Sequence, residues 1–142
     1  MKKFVSILYF LTGSVLFFGG CTKVDKLPYY EKGTPVTLTA SATTVAPTLA
    51  DSLSPVVSFS WTNPKYATDT TNYKFIVELD TAGRNFSNSF KKEVVGHLST
   101  SFTGRELNDI LLNYGSALGV PSTLDVRITS SDLNNNEKYL SN

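Results

Sequence analysis

Pro55-Val56-Val57-Ser58-Phe59-Ser60-Trp61-Thr62-Asn63-Pro64 is the stretch on which the fold turns. Val57, Phe59 and Trp61 fall on one side of an extended chain, and Ser58, Ser60 and Thr62 on the other. That is the two-residue period of a strand with one buried face, and it is bracketed by prolines. Trp61 is in phase with Val57 and Phe59. It therefore reads as a core residue rather than a platform for stacking a sugar.

Working outward, Val36-Thr37-Leu38-Thr39-Ala40 alternates in the same way, and Ser41 to Ser54 is a small-residue loop containing Pro47. Lys65 to Asn72 is polar and turn-like. Tyr73, Phe75, Val77 and Leu79 then form an apolar face opposite Lys74, Glu78 and Asp80, ended by the turn Thr81-Ala82-Gly83-Arg84-Asn85. Phe86 to Val95 carries a weaker signal, with Phe90, Val94 and Val95 as anchors, and Ser99 to Phe102 reads as a short strand. Thr103-Gly104-Arg105-Glu106 has the form of a capping box. Leu107, Ile110, Leu111 and Tyr114 follow at helical spacing, and Gly115 supplies a stop, which predicts one helix of about three turns. Leu124, Val126 and Ile128 alternate against Asp125, Arg127 and Thr129 as a further strand. Asp132 to Glu137 is a polar turn, and Lys138 to Asn142 begins a strand with no room to continue. The pattern is all-β: a β-sandwich over residues 35–142, with one short helix in a late connection and a final strand missing or truncated. Such a truncation predicts an unpaired edge beside the strand that ends near Ser130.

The first residues belong to something else. Met1-Lys2-Lys3 is a basic start, and Phe4 to Phe18 is apolar apart from Ser6, Thr12, Gly13 and Ser14. Gly19-Gly20 follows, and then Cys21, the single cysteine. A basic start, a short apolar run and small residues at a cleavage point make residues 1–20 a secretory signal peptide. The run is too short for roughly 30 Å of hydrocarbon, which needs about 20 apolar residues. Small residues directly before a cysteine resemble a bacterial lipobox, with Phe18 where Leu is preferred and Gly19 where Ala or Ser is. That resemblance implies that Cys21 is the lipidated first residue of the mature chain. The alternative is an ordinary signal peptide with an incidental or core thiol. With one cysteine no disulfide can staple the fold. Residues 21–34 mix Lys, Asp, Glu, Pro28, Gly33 and the pair Tyr29-Tyr30 without period, and read as a lipidated tether.

The chain of 142 residues carries 13 basic and 12 acidic residues. Removing the leader takes Lys2 and Lys3 and no acids, so the mature chain has 13 less 2, or 11, basic residues against 12 acidic. An interspersed, near-neutral surface argues against nucleic acid as partner, because phosphate binding needs clustered Lys and Arg.

Little in the sequence resembles catalysis. His97 is the one histidine and lies between Gly96 and Leu98 in a turn, leaving a Ser or Cys nucleophile this single base. Asp132, Asn134 and Asn136 alternate like the first ligands of a calcium loop. Glu137 stands where that loop needs glycine, so the segment reads as a solvated turn. Glu106 is better used in the helix cap than in a carboxylate pair with Asp109, which falls on the solvent face. Tyr29, Tyr30 and Tyr66 are the tyrosines free to be exposed. No catalytic set, metal site or cofactor is expected, and the chain reads as no enzyme.

Ser60-Trp61-Thr62-Asn63-Pro64 followed by Asn72-Tyr73-Lys74-Phe75 resembles fibronectin type III and related Ig-like domains, in which a Trp and a Tyr on successive strands pack in the core. Further segments sharpen the likeness: Val36 to Ser41, the Asp80-x-x-Gly83 turn, Asn85-Phe86, Ser101-Phe102-Thr103, Glu106-Leu107-Asn108-Asp109-Ile110-Leu111 and Asp125-Val126-Arg127-Ile128. Together they resemble the N-terminal Ig-like domain of the SusE/SusF group, outer-membrane lipoproteins of starch and glycan utilisation systems. The resemblance covers roughly Val36 to Asn142 and the lipidated start. It implies a non-enzymatic scaffold or spacer in a glycan-uptake complex, lipid-anchored at the outer membrane through Cys21, with the periplasmic or outer face left open. Family members continue into C-terminal domains that hold the glycan contacts, so no ligand-binding residue carries over. The alternative is a stand-alone Ig-like adhesion or assembly module that binds protein partners, by strand addition at the open edge.

Overall fold

The structure is a computed structural model and describes residues 32–66 and 73–141. Among the described residues, seven strands lie in two antiparallel sheets. Strands β1 (Leu38–Ala40), β2 (Pro55–Trp61) and β5 (Ser99–Thr103) form one sheet, in the order β1-β2-β5. Strands β3 (Tyr73–Thr81), β4 (Phe90–Val95), β6 (Leu124–Asp132) and β7 (Tyr139–Leu140) form the other, in the order β4-β3-β6-β7. One α-helix among the described residues, α1 (Gly104–Asn113), connects β5 to β6 and so crosses from one sheet to the other. The expected all-β sandwich with one late helix is the observed fold.

The alternating positions meet between the sheets. Val57, Phe59 and Trp61 on β2 face Tyr73, Phe75, Val77 and Leu79 on β3, with Phe102 and Ile128 completing the layer and Leu107 and Ile110 of α1 closing it. Trp61 lies tilted against Phe75 at 5.1 Å between ring centroids, and Phe59 meets Phe102 edge-on at 5.9 Å. Paired rings of this kind add about 0.5–1.5 kcal/mol beyond their area burial. That suits a core with no disulfide to support it.

Register defines two poles. Trp61 ends β2 and Tyr73 begins β3 beside Asp132, so these three share a pole with the arriving N-terminal segment. Pro55, Thr103, Thr81 and Leu124 mark the opposite pole, where α1 and the β1–β2 connection lie. The helix forms as its sequence predicts. The Thr103 hydroxyl accepts from the Glu106 amide at 3.2 Å, and the Glu106 carboxylate accepts from the Thr103 amide at 2.7 Å. Gly115, at φ +79°, ends it. Its amide donates to the Leu112 carbonyl and that of Ser116 to Leu111, the paired C-terminal motif that wants a left-handed residue.

Four details depart from the sequence reading. The first ladder starts at Leu38 rather than Val36, although Val36 is buried. The weak segment before β4 forms a turn as far as Ser89, with Asn85 and Phe86 both at positive φ. The polar side of β3 is not open to solvent: Glu78 and Asp80 are buried. The reason is topological, since β3 is flanked on both edges and the β3–β4 connection folds back across its outer side, where the Asn88 amide reaches Asp80 and the Ser89 hydroxyl reaches Glu78. Finally, the edge expected to be bare near Ser130 is partly covered: the last strand is truncated to two residues as expected, yet it pairs, with Leu140 beside Thr129 and Tyr139 beside Ser130.

Candidate functional site

Cys21, Tyr29 and Tyr30 lie outside the described residues. Among those described, the structure disperses the polar candidates. His97 is exposed in the turn between β4 and β5. Asp132 accepts from the Asn136 amide at 2.8 Å through its side chain and from the Asn135 amide through its carbonyl, so the Asp-Asn-Asn segment uses its own oxygens to close a turn. Glu106 serves the helix cap, where the Thr103 amide, with help from Lys92, holds its carboxyl below the usual carboxylate range. Asp109 is exposed on α1. No group of three metal-ligating side chains occurs among the described residues.

Tyr66 is a correction. It is not a free tyrosine but one of the most buried side chains, at 2% exposure. Its ring meets Tyr73 edge-on at 5.5 Å and stacks on Tyr139 at 6.1 Å. Its hydroxyl donates to the Glu137 carbonyl at 2.6 Å and shares a 3.0 Å hydrogen bond with Ser130. Burial pushes the hydroxyl above its ordinary value of 10.0, against the pull of the Ser130 bond, so the group stays neutral. Gly33 lies so close that a methyl group there would collide with the ring, and the Thr34 amide donates to the Pro64 carbonyl at 2.8 Å. Tyr66 thus locks the incoming segment, the β2–β3 connection and the β6–β7 hairpin together. The signal for this was the position of Gly33, which composition alone cannot separate from a linker glycine.

A second feature lies on the outer side of the four-stranded sheet. Arg127 Nε donates to Glu78 at 2.7 Å, Ser89 donates to its other oxygen at 2.8 Å, and Lys91 stands 3.5 Å away. Burial by itself would raise the Glu78 carboxyl. The Arg127 and Ser89 bonds and the two cations outweigh it, and the carboxyl is held below 4.5. Phe86 covers the Arg127 guanidinium at 4.1 Å. A buried carboxylate held in this way staples the β3–β4 connection to the outer side of the sheet.

The third feature is a concavity of about 520 Å³ between α1 and the β1–β2 connection. Its apolar lining includes Pro47, Leu49, Leu107 and Leu111, with Arg105 and Asp109 on the helix side. Two backbone bonds build it: the Gly104 amide to the Ser54 carbonyl at 3.3 Å, and the Arg105 amide to the Ser52 carbonyl at 3.0 Å. Gly104 is needed because a side chain there would press on the Asp51 carbonyl at 2.9 Å and on Pro47 at 3.1 Å. Thr48 and Asp51 close the short 3-10 turn Leu49–Asp51 through a 2.7 Å side-chain bond. Leu49, on its rim, is 93% exposed, and Leu53 in the same connection is 75% exposed. In the sequence this segment is rich in small residues around Pro47, with no periodicity to signal a concavity.

Residues 23–129 match the family model described as SusE outer membrane protein. No curated protein matches the chain, and no solved structure does.

Proposed function

The chain belongs to the SusE outer membrane protein family, and from that premise we propose that it is a non-enzymatic scaffold module of a starch or glycan binding and uptake system. In this reading Cys21 carries the lipid that holds the protein at the cell surface, residues 22–34 set the spacing from the membrane, and the sandwich presents a rigid body to the uptake complex. The observation that carries the scaffold role is how the aromatic side chains are used. Sugar sites rest on exposed rings, whereas among the described residues Phe59, Trp61, Tyr66, Tyr73, Phe75 and Phe102 are consumed by the core, and Phe90, at 39% exposure, meets Phe102 edge-on. Tyr114 is used as well: its hydroxyl donates to the Leu79 carbonyl and accepts from the Phe90 amide, each at 2.6 Å, tying the end of α1 to the paired strands β3 and β4. The tether enters at the Tyr66 pole, where Gly33 and Thr34 are held. A domain gripped at its point of entry transmits the direction of its tether to everything it carries.

Membrane fractionation and affinity electrophoresis test the two halves together. The chain should partition with the outer membrane, and Cys21→Ala should move it to the soluble fraction. The purified chain should migrate unretarded through gels containing soluble starch. Clear retardation would place sugar contacts on this domain and overturn the scaffold assignment, and an unshifted Cys21→Ala would overturn the anchor.

The exposed leucines beside the concavity favour a second reading, a module whose partners are proteins. It differs from the first in predicting a binding activity for the isolated chain.

A further inference from the structure

The surface at the α1 pole carries its own complement. Leu49 projects into solvent almost completely, and the concavity it borders is lined by Leu107 and Leu111. A knob and a hole on one patch satisfy each other when two copies meet across a two-fold axis, because residue i of each then meets residue j of the other. The charges repeat this arrangement. Arg105 and Asp109 both line the concavity, one helical turn apart, yet neither takes part in any of the five ion pairs among the described residues. Their placement does nothing for the helix. A cation in the first turn opposes the macrodipole, and an Arg placed before its acid is the weaker order for an i,i+4 pair. When two α1 helices lie antiparallel, the same two residues fall opposite each other, positive against negative, twice.

We propose that this face is a self-association surface. Two copies of the chain pair through α1 and the β1–β2 connection, with Leu49 of each seated in the other's concavity and Arg105 of each set against Asp109 of the partner subunit. The inference stands on the exposed leucines and the unpaired charges, and is independent of the glycan reading. A patch confined to one pole buries an area at the low end for specific interfaces, so the dimer should be weak, with a Kd on the order of 10–100 μM.

Sedimentation equilibrium of the purified chain, from about 5 to 500 μM across that range, reads the association directly. The wild type should pass reversibly from monomer to dimer. Arg105→Glu and Asp109→Lys should each weaken the dimer about tenfold or more, because each turns two attractive contacts into repulsive ones. The double variant should restore it to within about threefold, since both pairs re-form with signs exchanged. Leu49→Asp should remove it. A monomer at every concentration overturns the proposal and leaves the face to a different protein. So does a dimer that is indifferent to these substitutions, which would join through a strand edge. Singles that weaken association with no recovery in the double would show general damage to the pole, and would equally count against the paired-charge geometry.

Discussion

At the pole where the chain enters, Tyr66 is sealed between Gly33, Tyr73 and Tyr139, and its hydroxyl makes two hydrogen bonds. At the opposite pole Leu49 and Leu53 stand in solvent, with Leu118 and Val120 also exposed in the connection that leaves α1. Both poles are made of loops over the same core, so the contrast is not one of burial supply. It lies in what covers the ends. The first pole is closed by the chain itself, with a ring inserted between segments distant in sequence. The second is held to shape by Gly104 and two backbone bonds, yet Leu49 and Leu53 are turned outward, at 93% and 75% exposure against 44% for Leu133 at the first pole. Exposed leucine costs solubility and adds nothing to folding, so a patch of it is consistent with the proposed self-association.

The largest expected effect falls on the closed pole. Tyr66→Ala should cost about 4 kcal/mol, in the range for deleting a fully buried aromatic side chain and leaving its cavity. Tyr66→Phe should keep most of this and lose about 1 kcal/mol for the hydrogen bonds to Glu137 and Ser130. Urea denaturation at neutral pH separates the two. Equal losses would mean that the hydroxyl, not the ring, holds the pole together. A loss under about 1 kcal/mol for Tyr66→Ala would mean that this end is as loosely finished as the other, and the contrast would fail.

This contrast also sorts what the sequence could tell. The strands came from period-two alternation. The clearest, Val57 to Trp61, Tyr73 to Leu79 and Leu124 to Ile128, are those whose apolar side faces the layer between sheets, so local pattern and tertiary burial agree. The helix was legible because its capping box and its glycine stop are local chemistry. Tyr66 was not, because its burial depends on Gly33, Ser130 and Tyr139, three contacts from other parts of the chain. Glu78 and Asp80 failed for the same reason. Alternation placed them on the outer side of β3, but not under the returning β3–β4 connection. The concavity was invisible because Gly104 reads as one more cap residue until the loop it touches is known.

A middle-sized effect belongs to Glu78, which lies between the two poles and tests whether the outer face is another sealed surface. Glu78→Gln removes the charge-assisted bond from Arg127 and should cost about 2 kcal/mol at neutral pH. The sign of its pH dependence follows from the carboxyl being held below 4.5 in the folded chain. The unfolded chain takes up the proton first on acidification, so the contribution is complete above about pH 5 and fades as pH falls through the lowered folded value. Stability of the two proteins should therefore differ most at neutral pH and converge as acidification carries the folded carboxyl through its lowered value. Parallel curves at every pH would mean that the Arg127 contact contributes through packing rather than charge.

The smallest effect is expected at the open pole, and it separates folding from association. Leu49 touches solvent over 93% of its surface, so Leu49→Ser should change the stability of the dilute chain by no more than about 0.5 kcal/mol. Concentration should then distinguish the proteins where sequence position cannot. Association of folded copies stabilises by mass action, in proportion to the logarithm of one plus the ratio of concentration to Kd. The wild type should melt a few degrees higher at about 500 μM than at about 5 μM, and Leu49→Ser should melt at the same temperature at both. A variant that is much less stable even when dilute would show that Leu49 belongs to this domain's own fold. A wild type indifferent to concentration would remove the reason for its exposure that self-association supplies.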